Sequence, residues 1–473
     1  MRMQGGIGVF KAAGSGALAG VLLAGCASAF SSGAYPAGGN GPPEGPRRAR
    51  PAAVRKSAER PAVKRAAPPR ATGSGAAVLR LPELIKEALA KNPGVRALRE
   101  RWAAARARIP AASSLDDPVF RYTNFIQRVE TRVGPQRNRF DLSQKFPFFG
   151  KLALREEIAS RKASEAGKFY EARKVDLVAW VKSTYYGLFL VHKAIGITEK
   201  NLGILRRLAR VANLKYATGK ASQQDVLKAE VRLSRLANAL ITLQQEKKTA
   251  EAALNTLLNR PPDAPLGRPA EIRKRKFKAR AEDLQRIAQK RHPLLLALQE
   301  AIRKNAAALA LAKRQYYPDF TVGLGYVDVG GGTTPGSRDG KDAVTATLGI
   351  NIPLWFERRK ADAEAARAAV RASRARYEAT RNKILFDIQN ALTKVRTAER
   401  LVDLFTHTLI PQAEQSFKAS LIGYEADKVD FLNLLDSQKV LQDLQLERYR
   451  VMVDLEQRLA DLERAVGVEL GRL

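Results

Sequence analysis

The sequence predicts a mainly α-helical fold with a membrane β-barrel portion, built from duplicated long-helix coiled-coil hairpins plus four strands per subunit. Three observations predict it: an internal repeat with a period near 200 residues, long heptad-spaced stretches, and short runs of strict apolar alternation.

Composition narrows the function classes. Lys+Arg 82 against Asp+Glu 47 gives a net charge of +35, a balance that nucleic-acid binders often show. The single cysteine, Cys26, excludes an intramolecular disulfide, and with three histidines it leaves no zinc-finger or multi-histidine framework. No cofactor is expected.

Arg2 and Lys11 precede a small, apolar stretch, Ala12 to Ala24, of signal-peptide length. It ends Leu23-Ala24-Gly25-Cys26, which resembles the lipobox of bacterial lipoproteins. The resemblance implies a signal peptide at 1–25, acylation of Cys26 and, with Ala27 rather than aspartate next, sorting to the outer membrane. An exported chain is a poor nucleic-acid binder, so none is expected as a partner. Residues 26–77 read as an acylated, extended linker with eight prolines and a net charge of +7.

The remainder carries one plan twice, as repeat one (78–262) and repeat two (263–473). Asn92-Pro93 is echoed by His292-Pro293 at an offset of 200, Phe146-Pro147 by Ile352-Pro353 at 206, and Tyr216 by Tyr424 at 208. Loop insertions would produce this drift. Each repeat reads helix, two strands, long helix, turn, long helix. Phe140, Leu142 and Phe146 alternate with Arg139, Asp141, Ser143 and Lys145. Phe320 to Tyr326 and Val344 to Ile352 alternate with Thr and Gly, and Val119–Arg128 alternates less cleanly. No proline falls between Pro147 and Pro261, so Lys151 to Lys215 spans about 98 Å if helical throughout. The return helix carries a seam of Val226, Ala229, Leu233, Leu236, Leu240, Leu243, Ala250, Leu254 and Leu257. Repeat two carries its own in Leu434, Leu441, Leu444, Val451, Leu455 and Leu462.

Four strands with one apolar face suit a bilayer-spanning wall. Four cannot close a barrel, and an open edge cannot sit in lipid. Three copies would give twelve strands. A soluble sheet between helices is the competing reading of the alternation alone.

Together the lipobox, the duplication, Asn92-Pro93, the segment Phe140 to Lys151 and the two helical turns resemble TolC-type outer-membrane efflux proteins, over residues 78–466. The resemblance implies a homotrimer, a twelve-stranded barrel on a periplasmic α-helical tunnel, a periplasmic adaptor and an inner-membrane pump. The strand-end segment looks most like the branch that serves heavy-metal pumps of the resistance-nodulation-division type. It also implies a gate latch at Asp225, Tyr424 and Lys428, where the family's arginine position itself holds Val429. A tunnel constriction is implied at Asn433 and Asp436, with one of two carboxylate rings replaced by the asparagine. Adaptor-contact tips fall at Thr218, Gly219, Lys220, Asp427 and Val429. A hydrogen bond from Tyr424 to Asp225 is the expected latch contact, and a helix-start role for Asp225 is the alternative.

An enzyme is not expected. No nucleophile elbow, metal motif or dinucleotide fingerprint occurs, and the His-Pro at 292 matches Asn-Pro at 92, which favours capping. A structural periplasmic coiled-coil lipoprotein and the exit duct of a type I protein secretion system stay open as alternatives. Lipidation is tested directly: a clickable fatty acid should label the wild-type protein and not Cys26→Ser, and label persisting in the variant would refute the assignment.

Overall fold

The structure, a computed structural model, describes residues 78–272, 277–331 and 340–470. Cys26, the signal peptide and the linker lie outside the described residues, as do Arg273 to Lys276 between the repeats and the centre of the glycine-rich loop after Gly331.

Repeat one opens with a short strand β1 (Val78–Leu79) and helices α1 (Leu81–Lys91) and α2 (Pro93–Ser113). Asn92 breaks the pair because proline follows it and disfavours helical backbone there. Its side chain accepts hydrogen bonds from the Gly94 and Val95 amides at 3.0 and 3.2 Å, and its amide donates to the Leu257 carbonyl at 3.1 Å. Strands β2 (Val119–Thr131) and β3 (Gly134–Phe146) follow, then α3 (Lys151–Ala217) and α4 (Gln223–Leu257). At 67 residues, α3 runs about 100 Å.

Repeat two gives β4 (Arg268–Pro269), which pairs parallel with β1, then α5 (Ala281–Arg291) and α6 (Pro293–Arg314). Strands β5 (Phe320–Val329) and β6 (Ala343–Ile350) lead into α7 (Phe356–Leu404). A π turn, Phe405–Leu409, then joins α7 to α8 (Ile410–Glu425), and α9 (Phe431–Val466) returns. The π turn corrects one expectation. The last two residues of repeat drift, from 206 to 208, arise within this helical arm rather than in a loop, and the wide turn takes up extra length without ending the helix.

The heptad seams are the packing seams. Ala229, Leu236 and Leu254 are buried along α4, and Leu434, Leu441, Val451, Leu455 and Leu462 along α9. At the far end, Leu205, Leu208, Ala212, Leu236, Phe431 and Leu434 form a cluster that joins both hairpins. Phe431 is 1% exposed, and burying a side chain of that size contributes about 1.5–3 kcal/mol.

The four long strands form one antiparallel sheet in the order β2-β3-β5-β6, so the middle pairing crosses the repeats. Its register fixes the faces. Phe120, Leu142, Leu324 and Ala346 stand in one row, Phe146, Phe320 and Ile350 in another, with Val322 beside Leu348. The opposite face carries Arg121, Asp141, Gly325 and Thr345, and Ser143, Gly323 and Thr347. One face is mainly apolar, with Gln144 in the Val322 row, and the other mostly small or charged. Leu348→Arg should destabilise the assembled barrel by about 2–4 kcal/mol near the bilayer midplane, whereas Thr347→Arg should assemble well. Equal loss of heat-modifiable oligomer in both would contradict the facing.

His292 repeats the capping role of Asn92, with its Nδ1 accepting from the Leu294 amide at 3.2 Å. Burial pushes its imidazole down from 6.5 to about 4, while a hydrogen bond to the Arg464 backbone pulls weakly the other way. Between those values the unfolded chain takes up a proton that the folded one refuses. Stability therefore falls as pH drops from 6.5 toward 4. His292→Asn should keep the cap and flatten that part of the melting-temperature profile; an unaltered slope would show that other groups set it.

Candidate functional site

The two ends of the helical arms are built alike. In the first tip, Gly219 takes φ 74 and closes α3, with Lys220 N–H donating to the Lys215 carbonyl at 2.8 Å. Ser222 then starts α4 through a capping box. The Asp225 amide donates to Ser222 Oγ at 3.2 Å, and the Ser222 amide donates to Asp225 Oδ2 at 3.4 Å. In the second tip, Lys428 N–H donates to the Gly423 carbonyl at 2.8 Å, and Asp430 caps α9 by accepting from the Asn433 amide at 2.8 Å. Asp427 takes φ 58 at the place that Gly219 holds in the first tip.

The expected Tyr424–Asp225 hydrogen bond is not made within the subunit. Asp225 turns to its own helix start, where Ser222 offers an amide three residues away. Tyr424 is 5% exposed, its ring lies against Phe431 at 5.3 Å, and its hydroxyl has no partner among the described residues. Burial raises its phenol above the ordinary value, and the negative charges of Asp225 and Asp427 add to the shift. The two residues are therefore neighbours without being bonded. Val429 folds back over Gly423, where an added Cβ would meet Val429 Cγ2 at 2.5 Å. Lys428 is exposed beside it.

Asn433 and Asp436 lie one turn apart on the exposed face of α9, opposite Leu434, Leu435 and Gln438, which are buried. Thr218, Gly219, Lys220 and Asp427 are exposed at the extreme of the arms, and Val429 is half-buried.

Two polar contacts have no local signature in the sequence. Lys215 crosses from α3 to the second tip. Lys151, 1% exposed, donates to Asp319 Oδ1 at 2.7 Å and to the Tyr317 carbonyl at 2.8 Å, while Asp319 also accepts from the Phe148 amide at 3.0 Å. This second network knots the start of the first long arm to the start of β5. Beside it Phe148 packs on Phe149 and Tyr317, and Trp355 and Phe356 stand where the chain enters α7, with Phe149 78% and Trp355 74% exposed. Aromatic side chains at a strand end suit a membrane–water interface. No helix among the described residues is long and apolar enough to cross a membrane.

Comparison with known proteins agrees with this geometry. The outer membrane efflux protein family profile matches residues 84–260 and 284–468, one match per repeat. The cobalt-zinc-cadmium resistance protein CzcC of Cupriavidus metallidurans is 23% identical over 340 residues, 72% of this chain and 79% of that protein. Toxin and drug export protein A of Aggregatibacter actinomycetemcomitans is 32% identical over 96 residues, 20% of this chain and 21% of that protein. Among solved structures, the outer-membrane channel OprN superposes with a TM-score of 0.70 at 20% identity, over 82% of this chain and 89% of that one. CusC gives 0.71 at 17% identity, over 82% and 92%. Two family matches, one on each strand–hairpin unit, place the chain: it belongs to the outer membrane efflux protein family and is the outer-membrane exit channel of a tripartite efflux system, not an enzyme.

Proposed function

We propose that three copies of the chain close a twelve-stranded barrel over a helical tunnel, and that this duct carries divalent metal ions delivered by a resistance-nodulation-division pump through a periplasmic adaptor. The observation that carries the assembly is the four-stranded sheet with one mainly apolar face and two edges that have no strand partner among the described residues. Similarity to a cobalt-zinc-cadmium resistance protein over 79% of its length supports metal ions as cargo. In this reading Thr218, Gly219, Lys220, Asp427 and Val429 meet the adaptor. Asp225, Tyr424 and Lys428 lie at the closed mouth, and Asn433 and Asp436 line the constriction just above it. Cys26 tethers the assembly to outer-membrane lipid.

Purified full-length protein should migrate as a heat-modifiable trimer and conduct in planar bilayers. A deletion strain should lose resistance to cobalt, zinc or cadmium before it loses resistance to drugs. A coiled-coil spacer would give no conductance. Loss of protein-toxin export without metal sensitivity would favour a type I secretion duct.

A further inference from the structure

The ionic contact between the two tips of one subunit has the opposite polarity to the latch that the family resemblance implies. That latch sets an anion on the first tip against a cation on the second. Here the cation comes from the first. Lys215, in the last turn of α3, donates through Nζ to the Asp427 carboxylate and to the Tyr424 carbonyl. The same ammonium lies 4.3 Å from the centre of the Tyr424 ring, an attractive position over an aromatic face. Lys220, beyond the turn, stands 4.0 Å from the other carboxylate oxygen of Asp427. One carboxylate of the second tip is thus held between two lysines of the first.

Three observations set this arrangement apart from an incidental surface pair. The Lys215 side chain is only 16% exposed although it carries a charge, and it is satisfied by groups from the other hairpin. Tyr424 is in the last turn of α8, so its carbonyl is at the negative end of that helix, where a cation is favoured. Asp427 sits at φ 58, a backbone region that glycine enters freely and that side chains other than Asn and Asp resist. The matching turn of repeat one uses Gly219 there. Aspartate adds nothing to the turn itself; it puts a carboxylate against Lys215. Lys215, helped by Lys220, holds that carboxyl below its ordinary range, so Asp427 is a carboxylate at neutral pH. Val429, packed on Gly423, supplies no cation of its own.

We propose that Lys215, Asp427 and Lys220 form an electrostatic clasp that holds the two hairpin tips of each subunit together and sets the closed state of the channel mouth. The assignment rests on the exit-channel reading. Lys215 and Asp427 act as positioning residues: neither needs to touch cargo. Release requires only that the carboxylate be neutralised or drawn to another cation.

The test uses the full-length trimer. In planar bilayers at low salt, Lys215→Met and Asp427→Asn should each raise the open-to-closed ratio by up to about fivefold, the range that a partly exposed ion pair can hold. Asparagine keeps the left-handed backbone accessible, so Asp427→Asn removes charge without breaking the turn. The double variant should add little beyond the larger single effect. Lys215→Arg should restore the wild-type ratio. Raising salt should move the wild type toward the variants and leave the variants nearly unchanged. Independently, spin labels on Thr218→Cys and Glu425→Cys in a Cys26→Ser background report the distance between tips, which should lengthen in Asp427→Asn. Wild-type conductance and an unchanged tip distance in a stably trimeric Asp427→Asn would overturn the clasp. A wild type that never conducts would count against the channel reading instead, and the spin-label distance would then decide the clasp alone.

Discussion

An unpaired strand edge cannot rest in hydrocarbon, and the upper half of the molecule is arranged around that constraint. The edges are β2 and β6, and neither has a strand partner on its outer side among the described residues. In the proposed assembly each meets the complementary edge of another copy. Once the edges close, the period of two fixes the rest, because every residue on one row faces the bilayer and every residue on the next faces the lumen. The glycines belong to the inner rows. At Gly325 an added Cβ would lie 2.5 Å from Thr345 Oγ1 and 2.9 Å from Asp141 Oδ1, so the absent side chain leaves room for a lumen carboxylate. Arg139 pairs with that carboxylate at 2.9 Å.

Closing the sheet solves only half of the problem, since the barrel must also be fastened to the tunnel. Lys151 and Asp319 do this across the two repeats. A lysine 1% exposed is tolerable only because a carboxylate and a carbonyl take up its donors. Such a pair adds little net stability compared with an apolar contact, but it admits one arrangement of its neighbours. Gly150, at φ 81, lets the chain turn from Phe149 into α3, and Arg314 Nη1 donates to the Phe149 carbonyl at 2.6 Å over that turn. The junction is therefore set by polar geometry, whereas the arms below it are set by apolar seams.

That division explains what was legible in the sequence. Helix length, seams and strand faces depend on periodicities that any short window displays, and the cap at His292 was readable because Asn92 stands at the same point in the other repeat. The tip chemistry was not readable in that way. Lys215 is 212 residues from Asp427, and nothing near either residue announces the other. Asp225 illustrates a different limit. A family position suggested a bond across the tips, but a serine three residues upstream offered a closer partner within its own turn. The π turn left a faint trace, a two-residue change in repeat offset along a stretch that reads as helix.

Duplication usually gives two arms with the same mechanics, and the π turn breaks that equality. In α3 every turn of the 67-residue helix is α-helical. In the other arm a single turn is wider, with the Ile410 amide bonded to the Phe405 carbonyl and Pro411 unable to donate at all. Bending concentrates where hydrogen bonds are fewest. The 16 residues of α8 beyond that point reach about 24 Å, so each degree of bend there carries the tip through about 0.4 Å by simple leverage. One half of the chain has become a strut and the other a lever.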